Sequence, residues 1–387
     1  MKKKDDNNQN SKPACSNSRS IYAPVMLKNL EGDKESNYIK FGCYIYQDSL
    51  GYKDIKHIAL ECEKLGFDSL WLKDNFIPWI QDYASFNSNR NNDSSEHHRQ
   101  EKYQQQNHQQ QEPSERMMLE CWTTLSSLAS VTTKIRLGAI LVNLYRNPAV
   151  VAKMASTLDF ISNGRLDIGL SAGWYQRETR AYGIVFPIDS VRVEMLEESI
   201  IIIRKLLRTE NNNNNHGKIS FRGKYYNLSD AECNPKPIQK PHIPIWVGGS
   251  GKKTLKVVAG YADGWNYGLC SYDEYAEKLS VLKNYCHNNK VSGSRNYDDI
   301  IKAWHGILFL GADEGELESR KTNILCKKRI WKDSDLVIAG TPDTMIREIN
   351  RYLNIGVTYF TVWFPDLPDT RSLQLFAERV IPCFRKR

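Results

Sequence analysis

The sequence predicts a (β/α)8 TIM barrel with loop insertions, on three observations. Strand-like and helical segments alternate from residue 38 onward. Short links join most of them, which implies a parallel sheet. There are eight such repeats, and eight favour closure into a barrel over the doubly wound open sheet that shares the alternation. The 387 residues exceed a usual domain, but a barrel with insertions fills that length, and 41% hydrophobic residues supply one large core.

Tyr38 to Ile45 reads as the first strand. Tyr52 to Leu65 has helical spacing at Ile55, Ile58, Ala59, Cys62 and Leu65, with Gly66 as its stop. Phe67 to Leu72 is the second strand, Leu119 to Val131 a helix, and Ile135 to Val142 the third strand. Asn147-Pro148 opens the next helix as N-cap and first helical residue, with Val151, Met154, Leu158 and Ile161 on one face. Arg165 to Leu170 is the fourth strand, and Val191 to Leu207 a strongly apolar helix. The fifth and sixth strands, Pro244 to Val247 and Asp263 to Tyr267, precede helices at Lys252 to Ala259 and Tyr272 to Cys286. Ile301 to Leu310 is the seventh strand and Thr341 to Leu353 its helix; Val357 to Trp363 and Ser372 to Ile381 complete the set.

Residues 1–36 are polar, lack periodicity and read as a disordered tail, so the barrel is assigned to 37–387. Inserts at 87–112, rich in Asn, Gln and His, and at 211–215, pure Asn, are too polar to offset the entropy of ordering and read as loops. His97, His98 and His108 in the first insert have no metal-ligand spacing, so no metal is expected.

The formal charge of +8 gathers largely at the chain ends and gives a mild bias toward anionic ligands. No basic stripe interleaves with aromatics, which excludes a nucleic-acid footprint. No apolar run approaches membrane length, and none reads as a secretory leader. Nine scattered cysteines without a CxxC pair fit a reducing, cytoplasmic compartment.

In a barrel the reactive groups follow the strands. Strand two ends in Lys73-Asp74-Asn75-Phe76-Ile77-Pro78-Trp79, strand three in Ile140-Leu141-Val142-Asn143, and strand four in Ser171-Ala172-Gly173-Trp174. Strand five runs through Gly248-Gly249-Ser250-Gly251 into a helix. Glycines before a helix N-terminus expose amides and a partial positive charge, which suits a phosphate. A tight turn explains the same string, and it is not a P-loop. Trp79 and Trp174 read either as walls of a flat-ring or substrate pocket or as rim packing. Arg177, Glu178 and Arg180 read as a surface ion-pair set, with Arg177 or Arg180 as an alternative contact for an anionic tail.

Residues 119–186, with the segments KDNFIPW, FRGKYYNL and PKPIQKPHIPIWVGGSGKKTLKVVAGYADGWN, resemble the luciferase-like monooxygenase superfamily. The branch they resemble most is that of oxidoreductases using the deazaflavin coenzyme F420. The resemblance runs in order over about residues 38–380. It implies that Asp74 meets the ring system or the substrate and that the third strand presses on the ring from behind. A non-prolyl cis peptide is implied at Ile140–Leu141. Asn143 is then set at the ring edge or tail, and Gly173, Trp174, Gly248, Gly249 and Ser250 along the phosphate-bearing tail.

The family usually has His where this chain has Asn75, and an amide exchanges no proton near pH 7. Glu120 is the substitute candidate, its other reading being a charge that favours the helix dipole. The catalytic set is therefore Asp74, Asn75 and Glu120. The function implied is hydride transfer between F420 and a small organic substrate. An FMN-dependent monooxygenase and a non-catalytic flavin or deazaflavin carrier are the rivals. The resemblance also admits a homodimer.

Overall fold

A computed structural model describes residues 38–78, 117–209, 218–287, 295–328 and 337–385. The tail, both inserts, Trp79 and the three histidines of the first insert lie outside the described residues. In chain order the elements are β1 (Lys40–Ile45), α1 (Tyr52–Lys64), β2 (Ser69–Lys73), α2 (Cys121–Val131), β3 (Arg136–Val142), α3 (Pro148–Ile161) and β4 (Leu166–Ser171). Next come α4 (Gln176–Ala181), α5 (Asp189–Leu207), β5 (Ile219–Arg222), β6 (Asn227–Ala231), β7 (Ile245–Gly248), α6 (Lys252–Tyr261), β8 (Gly264–Gly268) and α7 (Tyr272–His287). The chain ends with β9 (Ile301–Leu310), α8 (Glu314–Lys328), β10 (Val337–Gly340), α9 (Pro342–Leu353), β11 (Tyr359–Trp363) and α10 (Arg371–Arg379).

The parallel order β1-β2-β3-β4-β7-β8-β9-β11 returns to β1, which closes an eight-stranded barrel. These eight are the strands expected from the sequence. Three further strands were not: the antiparallel hairpin β5–β6, and β10, which pairs with the far half of β9. Each is only four or five residues long and largely half-exposed, so none carries a strong apolar signal. Among the described residues no helix is long and apolar enough to cross a membrane.

Aromatic side chains plug the N-terminal end of the barrel. Trp71, Trp246 and Tyr359 meet edge to face at 5.4 and 5.3 Å. Gly138 and Gly264 on neighbouring strands make room, since a Cβ at either would run into an indole ring. Arg136 and Asp167 close the same end with an ion pair at 2.8 Å, and Trp246 Nε1 donates to Asp167 at 3.3 Å. With that end filled, the C-terminal mouth is the open end of the barrel among the described residues.

Candidate cofactor and substrate site

The mouth opens into a cavity of about 1450 Å³, above the several hundred Å³ typical of a single small ligand. Of the expected site residues, Asp74, Asn75, Ile140, Gly173, Trp174, Gly248, Gly249 and Ser250 line it together. Leu141, Asn143 and Glu120 do not. Leu141 is buried in the core, as strand alternation dictates beside an inward-facing Ile140. Asn143 donates its backbone N–H to Ser171 O at 3.0 Å and lies 3.5 Å from the Tyr226 hydroxyl.

The cis peptide expected at Ile140–Leu141 is absent. The cis bonds among the described residues all precede proline. β3 keeps an unbroken register with β4 through Ile140, Leu141 and Val142, so no bulge offsets the roughly 3–4 kcal/mol that a non-prolyl cis bond costs. Ile140 still reaches the cavity, because Gly169 and Gly248 present no side chain against it.

The strand-two end is held by charge. Arg146 grips the fully buried Asp74 carboxylate at 2.7 and 3.0 Å, and the Val142 amide donates to it at 2.9 Å. Burial nevertheless raises the Asp74 carboxyl above its ordinary value. Arg146 also reaches Glu120 at 2.6 Å. Glu120 is the N-cap of α2 and accepts from the amides of Trp122 and Thr123 at 3.0 and 2.6 Å. Burial would raise this carboxyl, but those donors and Arg146 outweigh it and hold it low.

Glu178 is not on the surface. It is wholly buried, and its carboxylate accepts from Asn75 Nδ2 at 3.1 Å, from the amides of Phe76 and Ile77 at 2.5 and 3.0 Å, and from the Tyr145 hydroxyl. A helix that reads as a charged surface turn therefore fixes the strand-two loop from inside. Its neighbours Arg177 and Arg180 line the cavity.

The β7–α6 junction forms the anion end. Gly249 has φ of +115°, which side-chain-bearing residues rarely adopt. α6 has Gly251 as N-cap, with no side chain bonded to its first amides, and no acidic residue in its first turn. Lys252 and Lys253 stand there, and Arg192 of α5 lines the same cavity. Arg192 is buried and bonded to Pro187 O and Asp189, yet its Nε has no partner. Uncapped helix amides with Lys252 and Lys253 beside them suit a phosphate oxygen.

The floor holds a pair for which sequence reading had no signal. His305 Nε2 lies 2.9 Å from the Tyr46 hydroxyl, His305 Nδ1 lies 3.0 Å from Thr361 O, and the Tyr44 ring sits 4.5 Å away. All three side chains line the cavity. Burial lowers the His305 pKa to about 4. His305 lies mid-strand in the ten-residue β9, but it pairs with Gly268, the last residue of β8. The long strand overshoots the rim, so its middle stands where other strands end.

Residues 38–288 match the family model described as luciferase-like monooxygenase. An F420-dependent glucose-6-phosphate dehydrogenase of Amycolatopsis mediterranei is 24% identical over 90% of this chain and 99% of its own length. A 5,10-methylenetetrahydromethanopterin reductase of Methanopyrus kandleri is 26% identical over 68% of this chain and 86% of its own. The structure of an F420-dependent secondary alcohol dehydrogenase superposes with a TM-score of 0.68 at 20% identity, covering 90% of this chain and all of that one.

Proposed function

The chain belongs to the luciferase-like monooxygenase family, and from that premise we propose that it is an oxidoreductase transferring hydride between coenzyme F420 and a small organic substrate. The observation that carries this reading is one continuous cavity, with glycine-rich uncapped helix amides at the β7–α6 junction and aromatic residues Tyr44, Tyr46 and Trp174 in its lining. Relatives named F420-dependent glucose-6-phosphate dehydrogenase and matched over nearly their whole length support the choice of ring. The residues fit the group. The amides of Gly248 to Ser250 and the first turn of α6 would hold the phosphate of the tail. Ile140 would back the ring from β3.

When bound, the deazaflavin supplies a carbon centre that takes or gives hydride. The protein positions, shields and tunes. Arg146 holds the Asp74 carboxyl in a fixed position at the cavity wall. Asn75, with its Nδ2 committed to Glu178, keeps Oδ1 as a hydrogen-bond acceptor and moves no proton. Glu120 serves as a cap and as the outer partner of Arg146.

Titration of the purified chain with oxidised F420 and, separately, with FMN, followed by tryptophan quenching, tests the reading. Tight binding of F420 with weak FMN binding is expected. Preference for FMN would transfer the chain to oxygen-using chemistry, and binding of neither would remove the cofactor site altogether.

A further inference from the structure

Glu178 sets the polarity of one stretch of the cavity wall. Its buried carboxylate takes two donors on each oxygen: the Phe76 and Ile77 amides on Oε1, and Asn75 Nδ2 and the Tyr145 hydroxyl on Oε2. A carboxylate only accepts, so the Asn75 amide is fixed with an N–H toward Glu178 and with Oδ1 turned away from it. Asn75 is 7% exposed and lines the cavity. Its Oδ1 has no partner, yet it is not among the orphaned atoms sealed inside the protein. A carboxylate bonded to the N–H side of an amide also polarises it and makes the carbonyl oxygen a stronger acceptor. Glu178 itself has no ion-pair partner among the described residues. The cations at the strand-two end are engaged elsewhere, Lys73 with Asp48, and Arg146 with Asp74 and Glu120. A buried carboxylate balanced by neutral donors alone is costly, and Asn75 is the side chain that joins this one to the cavity.

We infer that Asn75, backed by Glu178, forms an ammonium subsite, and that the substrate carries a protonated primary amine at this wall. The inference rests on the cofactor and substrate cavity proposed above and names the group by which the substrate is recognised. An ammonium N–H donates to Asn75 Oδ1, and its charge meets the field of Glu178 across the amide. Such a charge-assisted bond is roughly twice as strong as a neutral one. A carbonyl or carboxylate at the same place would set one acceptor against another. A quaternary ammonium would bring the charge without a hydrogen to give. The barrel also separates this subsite from the helix amides, since β2 stands three strands from β7 in the closed order. Lys252 and Lys253 make the β7–α6 side positive, and the unpaired Glu178 makes the β2 side negative. An anionic cofactor and a cationic substrate therefore sort to different sides of one cavity. Asn75 is the residue that touches substrate, and Glu178 is a positioning residue that acts through it.

Calorimetric titration of the full-length chain at pH 7, with and without F420, tests this with benzylammonium, benzyl alcohol and benzyltrimethylammonium. Benzylammonium should bind at least about tenfold more tightly than either of the others. Equal affinities, or no binding of benzylammonium, overturn the inference. Asn75→Leu keeps the volume and removes the acceptor, and it should abolish the preference; a preference that survives it overturns the assignment. Glu178→Gln removes the charge and frees the Asn75 amide to turn, so the ratio of benzylammonium to benzyl alcohol affinity should fall toward one. A purely structural Glu178 would weaken all three probes together and leave that ratio unchanged, which would overturn its role. If Glu178→Gln does not fold, the ratio in Asn75→Leu decides. Failure of the cofactor reading would appear separately, as absence of tryptophan quenching by F420, and the probe ratio would still be read on the unloaded chain.

Discussion

Two residues at opposite ends of the cavity have effects that single substitutions can isolate. Gly249 sits at φ +115° where the backbone approaches the anion end. A Cβ there is strained whatever the space around it, and a branched side chain also stands between the amides and a phosphate. Gly249→Val should therefore weaken F420 binding by roughly tenfold or more, about 1.4 kcal/mol per decade; unchanged affinity would place the phosphate elsewhere. His305 contributes to pH-dependent stability. Its folded pKa of about 4 lies below the ordinary 6.5 because burial disfavours the imidazolium. Between those values the unfolded chain binds a proton that the native chain does not, so stability falls as pH drops from 6.5 toward 4. Denaturant melts of His305→Gln should show that loss reduced by roughly 3 kcal/mol. Equal pH slopes in both proteins would mean that the imidazole is not held neutral.

At the scale of elements, buried or half-buried carboxylates fasten loops by collecting backbone amides. Glu198 of α5 accepts from the amides of Lys224, Tyr225 and Tyr226 at 2.6, 3.0 and 3.1 Å, which pins the β5–β6 turn. Glu63 of α1 does the same for the link from α2 to β3, through the amides of Thr133, Lys134 and Ile135 at 2.8, 2.7 and 3.0 Å. Burial would raise the Glu63 carboxyl, but those three donors outweigh it and hold it below its ordinary value of 4.5. Its stabilisation is full above that value and is lost as pH falls through the lower folded one. Glu63→Ala should cost about 1 kcal/mol at pH 7. The variant should also lose less stability than the wild type between pH 5 and pH 3, which paired thermal melts at the two pH values will show.

At the scale of the whole molecule, the ladder closes between strands that all lie among the described residues. Deleting Asn87 to Glu112 should leave the melting temperature within a few degrees and the barrel dichroism unchanged. An unfolded product would show that the segment is structural. The aromatic plug at the base and the open mouth at the top divide the barrel into a part that stabilises and a part that binds, so base substitutions should act on stability and mouth substitutions on ligands.

The sequence by itself determined the eight strands, their alternation with helices and the glycine turn before α6. These depend on local periodicity, on Asn147-Pro148 capping and on residues that sit consecutively in the chain. It also brought Asp74, Asn75, Gly173, Trp174 and Gly248 to Ser250 to one mouth, because each follows a strand end. Tertiary structure alone decided the rest. Glu178 reads as a surface charge until α4 folds over the strand-two loop. Glu120 and Arg146 are 26 residues apart until α2 and the end of β3 meet. Tyr46 and His305, separated by 259 residues, become a pair only when β9 closes the barrel and overshoots its rim. Contacts between residues distant in sequence leave no periodic trace in either segment, so the Tyr46–His305 pair had no signature to read.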